Sequence, residues 1–245
     1  MKTPLLPRLA LPLVLLAALP AFRPAAPAPG VVLPAETRET RSVAAFSKLT
    51  LATAAEVIVT PGSSQKVEVV GEPADLKDLE TVVENGRLRI GTPRKSGLNW
   101  RGFRHPVKVY VTVTTLEALS VSGSGSLHAD SPLTGKAMSV SVSGSGSLRA
   151  PLQVESLDAS VSGSGSLRLS GSTRTLKAGI SGSGRIEAAG LQAATCGARI
   201  SGSGTCRLNV AETLDAHISG SGDVLYAGSP RVTSHIAGSG RVRKS

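Results

Sequence analysis

Aromatic side chains are nearly missing from this sequence: three Phe, two Tyr and one Trp in 245 residues. A thick globular core normally leans on such rings, so its interior must be filled by Val, Ile, Leu and Ala, which suits a narrow, layered core. Cysteine is almost as scarce, with only Cys196 and Cys206. Two cysteines exclude a disulfide-dense scaffold and a four-cysteine zinc site. Acids are outnumbered, 17 Asp and Glu against 27 Lys and Arg, for a net charge of +10. The acids are scattered along the repeats, with no paired carboxylates and no Ser-His-Asp pattern, so a catalytic centre is not expected.

What is abundant is glycine, 27 residues, and it is not spread evenly. The tetrapeptide SGSG begins at Ser122, Ser143, Ser162, Ser181, Ser201 and Ser219, and a variant AGSG begins at Ala237. The intervals are 21, 19, 19, 20, 18 and 18 residues. Seven turns at a nearly fixed period predict a repeat architecture. One position before each turn stand Val121, Val142, Val161, Ile180, Ile200, Ile218 and Ile236, all β-branched. Five positions after its start stand Leu127, Leu148, Leu167, Ile186, Cys206, Val224 and Val242. Apolar residues also recur at minus three, minus five and plus seven, with small or polar residues between. This period-two alternation predicts two strands per repeat, each with one inward face.

A rung of about 20 residues cannot bury its own apolar face, but stacked rungs about 4.8 Å apart build continuous ladders. The expected fold is therefore all-β: a right-handed parallel β-helix with rungs of 18–21 residues and SGSG corners, with a stacked-hairpin β-roll as the alternative. Glycine opens backbone conformations closed to other residues, and serine hydroxyls are expected to bond backbone in the turn.

The regions before the repeats divide into three. Residues 1–28 read as a signal peptide: Lys2 and Arg8 precede the apolar run Leu9–Phe22 and small residues follow. Residues 29–41 read as an Ala/Pro-rich linker. From residue 42 one domain is expected, with a β-rich segment over 42–115 and the repeats over 116–245. In that segment AEVIVTPG, QKVEVVG and VKVYVTV read as strands, PADLKDLE as a short helical turn, and TVVENGRLRI as a hairpin about Asn85-Gly86. No membrane span is expected once the leader is removed, and the implied location is exported: periplasm, outer-membrane surface or extracellular.

Candidate sites are few. The G-x-G of each turn lacks the following helix that a phosphate loop needs. Only one turn, SGSGD at Ser219–Asp223, is followed by an acid, so a calcium roll is not expected. Cys196 and Cys206 face inward in one repeat, and in an oxidising compartment they leave a disulfide open. His217 and His235 share an outward column beside Arg199 and read as a solvated face; no metal or cofactor is expected. Two basic features could meet a glycan or acidic cell-surface polymer. One is the loop with Trp100, Arg101, Phe103 and Arg104, although its rings are more readily expected to fold back and cap the first rung. The other is the outward column of Arg149, Arg168 and Arg207 with Glu187 between them, which could equally be a salt-bridge ladder. Specific nucleic-acid binding is not expected, and a homo-oligomer is left open.

From Phe46 to about Val242 the layout resembles the head GIN domain family of auto-transporter adhesins. The FSKLTLATAAEVIVTPG segment, QKVEVVG, VENGRLRI and VKVYVTV precede repeats of the type ALSVSGSGSL and DASVSGSGSLRL. The resemblance implies a parallel β-helix of pectin-lyase-like shape, export, a role in adhesion, and none of the catalytic residues of similar-looking enzymes. The function expected is thus a non-enzymatic adhesin or envelope structural protein. A polysaccharide lyase or hydrolase on the same scaffold, and an envelope sensor, are the alternatives.

Overall fold

The computed structural model describes residues 36–93 and 102–245. The proposed leader, and the linker as far as residue 35, lie outside these. The last part of the expected linker is instead a strand, β1 (Thr37–Arg41), paired antiparallel with a later one. Its alternating half-buried Thr37, Glu39 and Arg41 carry no apolar signature, so composition alone concealed it.

The segment before the repeats supplies β2 (Lys48–Ala52), β3 (Glu56–Pro61), β4 (Lys66–Gly71), the short helix α1 (Pro73–Lys77), β5 (Glu80–Glu84), β6 (Arg87–Gly91) and β7 (Lys108–Val113). The hairpin between β5 and β6 turns on Asn85 and Gly86, with φ of 51° and 69°. Both values are positive, as the two-residue turn that matches strand twist requires. The first rung of the solenoid is β2 with β3. It lies between two others: β6 and β7 stack on one side, and β8 (Ala118–Gly123) and β9 (Ser126–Ala129) on the other. Beyond β6 and β7 the direction reverses. β5 pairs antiparallel with β6, β4 with β7, and β1 with β4. The parallel stack is thereby closed at this end by antiparallel strands.

The repeats then follow as β10 (Leu133–Gly144), β11 (Ser147–Gly163), β12 (Ser166–Gly182), β13 (Arg185–Gly202), β14 (Thr205–Gly220), β15 (Asp223–Ala227), β16 (Arg231–Gly238) and β17 (Arg241–Lys244). Every pairing among them is parallel and joins like positions of successive turns. Val142 lies beside Val161, Leu148 beside Leu167, and Gly144 beside Gly163. The protein is a parallel β-solenoid, as the period predicts, with its ladders of Leu, Val, Ile and Ala forming one continuous core.

Two expectations need correction. A rung has more than two inward runs. In β11 a further pair, Leu152 and Val154, points inward between the plus-seven and minus-five positions, and Leu191 with Ala193 does so in β13. The rung thus encloses its core on an additional side. Nor, among the described residues, do the serine hydroxyls of the SGSG turns bond the turn backbone. The rungs are joined there by backbone bonds: the Ser145 and Gly146 N–H groups donate to the Gly123 carbonyl at 3.0 and 2.8 Å, and Ser166 N–H donates to Gly146 O at 3.0 Å. The two glycines have separate tasks. The first of each turn holds φ between 105° and 132°. The second gives close approach: a Cβ on Gly146 would stand 2.6 Å from Val121 Cγ1 and 2.7 Å from Gly125 O.

Candidate functional site

The outward columns are set by the same register that builds the core. Residues between inward positions project to solvent, and stacking places each about one strand spacing from its counterpart in the next rung. At plus six this gives the series His128, Arg149, Arg168, Glu187 and Arg207 on adjacent strands. Arg207 is neutralised: its guanidinium lies 2.6 Å from Glu187 Oε1, which also receives Arg185 at 3.4 Å. His128 is bracketed by Asp130 and Glu56 at 3.5 and 3.9 Å. Among the described residues Arg149 and Arg168 form no ion pair. They stand side by side in a shallow groove of about 400 Å³, rimmed by Ser126, Ser147 and Ser166. The expected three-arginine face is therefore two free cations and one internal pair.

The basic loop is only partly described. Trp100 and Arg101 lie outside the described residues. Phe103 is half-buried and packs against the core. Arg104 has an exposed side chain, but its backbone is anchored. Asp75, on α1 and 5% exposed, accepts the N–H groups of Arg104 at 2.9 Å and His105 at 3.0 Å. The His105 ring closes the clamp, with Nδ1 3.0 Å from Asp75 and 2.6 Å from Glu72. Burial drives the Asp75 carboxyl upward, but the bonds from Arg104 and His105 outweigh it and hold the group below its usual value. Glu72, Asp75 and His105 resemble a metal triad in composition. Their donors are already spent on the loop, and we read them as a structural clamp.

A second cluster lies on the outer face of β14 and β16. His217 and His235 are register partners, stacked with ring centroids 5.0 Å apart and planes 6° from parallel. His217 Nε2 lies 3.2 Å from an Asp215 carboxylate oxygen. The histidine column is legible in the sequence, whereas Asp215 sits two residues along the same strand, in a different column. Only the shared outward face of positions two apart could have flagged it.

His217 and His235, with Arg199, also line a largely apolar groove of about 820 Å³. Its lining crosses five rungs, from Val161 through Ile180, Ile200 and Ile218 to Ile236. Ile236 is 43% exposed, in contrast to the buried β-branched residues of the preceding turns.

Cys196 and Cys206 are buried, free thiols in the structure. They occupy different strands and neighbour different ladders, Cys196 between Leu176 and Leu214, Cys206 between Ile186 and Val224. Burial pushes the Cys196 thiol up to about 12. Burial first, then the nearby Cys196 and Glu187, push the Cys206 thiol upward as well. Both should therefore be inert in the native state. We expect a disulfide reagent to release no thiol signal from the native chain and signal from both cysteines after unfolding. No signal in either state, with a mass lower by two hydrogens, would instead establish a bond across the rung.

With this geometry in hand the relatives can be placed. The family described as "putative auto-transporter adhesin, head GIN domain" matches residues 45–230. The chain belongs to this family. Among solved structures, a protein described as a "putative adhesin" from Bacteroides fragilis NCTC 9343 superposes with a TM-score of 0.79 at 22% identity, over 86% of this chain and 97% of that one. A "putative lipid binding protein" from Parabacteroides distasonis ATCC 8503 gives 0.70 at 25% identity, over 86% and 96%. A further "putative adhesin" from Parabacteroides merdae ATCC 43184 gives 0.64 at 18%, over 86% and 96%. No curated protein matches the sequence. The head GIN match thus runs from just before β2 to just past β15, leaving out β1 and the last rung of β16 and β17, and the solved neighbours share the solenoid.

Proposed function

We propose that this head GIN protein is an exported, non-enzymatic adhesin that holds an anionic glycan or acidic cell-surface polymer against the outer face of its solenoid. The observation that carries the reading is the pair Arg149 and Arg168. Two guanidiniums on adjacent strands, in one groove and without a carboxylate partner, offer paired forks to successive anionic groups of a polymer. Leaving both cations unpaired while Glu187 neutralises Arg185 and Arg207 separates the reading from a ladder of mutual salt bridges. Export rests on the charged and apolar pattern of residues 1–28 and accords with an adhesin family.

The test is binding of an acidic polysaccharide, a polyuronate, to the immobilised protein at low and moderate salt. Saturable binding is expected, weakened by salt and reduced at least tenfold in the double variant Arg149→Ala, Arg168→Ala, with a neutral polysaccharide inert. Equal binding by the double variant would remove these arginines from the site, and no binding would sink the reading.

A second reading has its own observation. The groove along Val161, Ile180, Ile200, Ile218 and Ile236 is almost wholly apolar, and one neighbour at 25% identity is described as a lipid-binding protein. An acyl chain could lie along it, parallel to the solenoid axis. Uptake of a fluorescent fatty acid that survives the arginine double variant would favour this reading over the polymer.

A further inference from the structure

We propose that Asp215, His217 and His235 form a binding site for a borderline transition-metal ion of the zinc type on the outer face of the solenoid. The three side chains offer one carboxylate and two imidazoles, with donor atoms all within 4.8 Å of one another. Ligand atoms around a tetrahedral zinc, at bond lengths of about 2.0–2.2 Å, lie roughly 3.3–3.6 Å apart. The 3.2 Å approach of His217 Nε2 to Asp215 already has that scale. The fold supplies the rest. Parallel in-register pairing sets His235 beside His217, and the strand repeat sets Asp215 on the same face as His217. Asp215 and His235 are exposed, so small rotamer changes can close the set without moving backbone.

The donor set also selects the ion. Two imidazoles with one carboxylate suit zinc, copper or nickel, while calcium and magnesium prefer oxygen alone. Three protein ligands leave a fourth position to water or to a group from outside. The site differs from the Glu72, Asp75 and His105 clamp, where the buried carboxylate is occupied by two backbone N–H groups. Asp215 has no such commitment; among the described residues its side chain pairs only with His217. One neighbour opposes a cation: Arg199 is the register partner of His217 on the other side. Its charge should weaken metal binding, which gives a distinctive arm to the test.

The experiment is calorimetric titration of the untagged full chain with Zn²⁺, alongside His235→Ala, Asp215→Asn and Arg199→Ala, each checked for native circular dichroism. One equivalent of zinc per chain is expected at micromolar affinity. His235→Ala should weaken it at least tenfold, Asp215→Asn severalfold, and Arg199→Ala should tighten it about threefold. Magnesium should give no comparable heat. No saturable binding, or binding unchanged in His235→Ala and Asp215→Asn, would overturn the proposal, because both residues are exposed and neither supports the core.

Discussion

Gly163→Ala is expected to destabilise the solenoid by about 3 kcal/mol or more, although it adds a single methyl group. Two costs combine. Gly163 holds φ at 105°, outside the region open to an L side chain. Its new Cβ would also stand 2.8 Å from the Gly144 carbonyl oxygen of the preceding rung. That oxygen cannot easily retreat, since it accepts Ser164 N–H at 3.0 Å and belongs to a ladder running through every turn. Gly197→Ala is the internal control. Gly197 has no positive φ, and a Cβ there meets nothing within 4 Å, so the change should stay within about 0.5 kcal/mol. Urea midpoints compared at a common slope give the measurement. Equal small effects at both glycines would show that the turns are not sterically constrained corners.

Leu157→Ala is expected to cost about 2–5 kcal/mol, the range for a large side chain removed from a close-packed interior. Leu157 is 1% exposed and lies in a column between Met138 and Leu176, so the cavity opens against apolar neighbours in both adjoining rungs. The same column ends at Val232, which is only partly buried and packs against Leu214 on one side. Val232→Ala should cost about 1 kcal/mol or less. The contrast follows from nearest-neighbour stacking, in which a middle residue supports two interfaces and an end residue one. Thermal or urea unfolding of the two variants would test it, and losses of equal size would contradict the rung-by-rung build-up of stability.

The ladders were legible in the sequence because each hangs at a fixed distance from a glycine turn. Val121, Val142, Val161, Ile180, Ile200 and Ile218 are all buried as their column requires. The additional inward side, with Leu152 and Val154 or Leu191 and Ala193, was not legible. It lies where repeat length varies, and the structure absorbs that variation there. The register between β12 and β13 shifts between Arg168 and Ser170, and that between β13 and β14 shifts after Ala188 and again after Ala193. Residues in such a stretch keep no constant offset from the turn, so the column that the structure makes of Val154, Thr173, Ala193 and Val210 does not show in the sequence. The candidate sites divide in the same way. Arg149, Arg168, Glu187 and Arg207 could be found by counting, and a salt-bridge ladder among them was open, but which arginines Glu187 takes depends on side-chain reach. Asp75 gave no signal, because its role rests on a loop some 30 residues away.

The antiparallel closure beside the first rung bears on how copies of this chain can meet. A parallel stack with two bare ends could continue from molecule to molecule into an open filament, since each end would be a template for the other. Here one end is covered by β1, β4 and β5, with TRETR along the outermost strand β1 and ETVVE along β5. Both are five residues long and carry charges, features that discourage edge pairing. Head-to-tail growth through that end is therefore disfavoured.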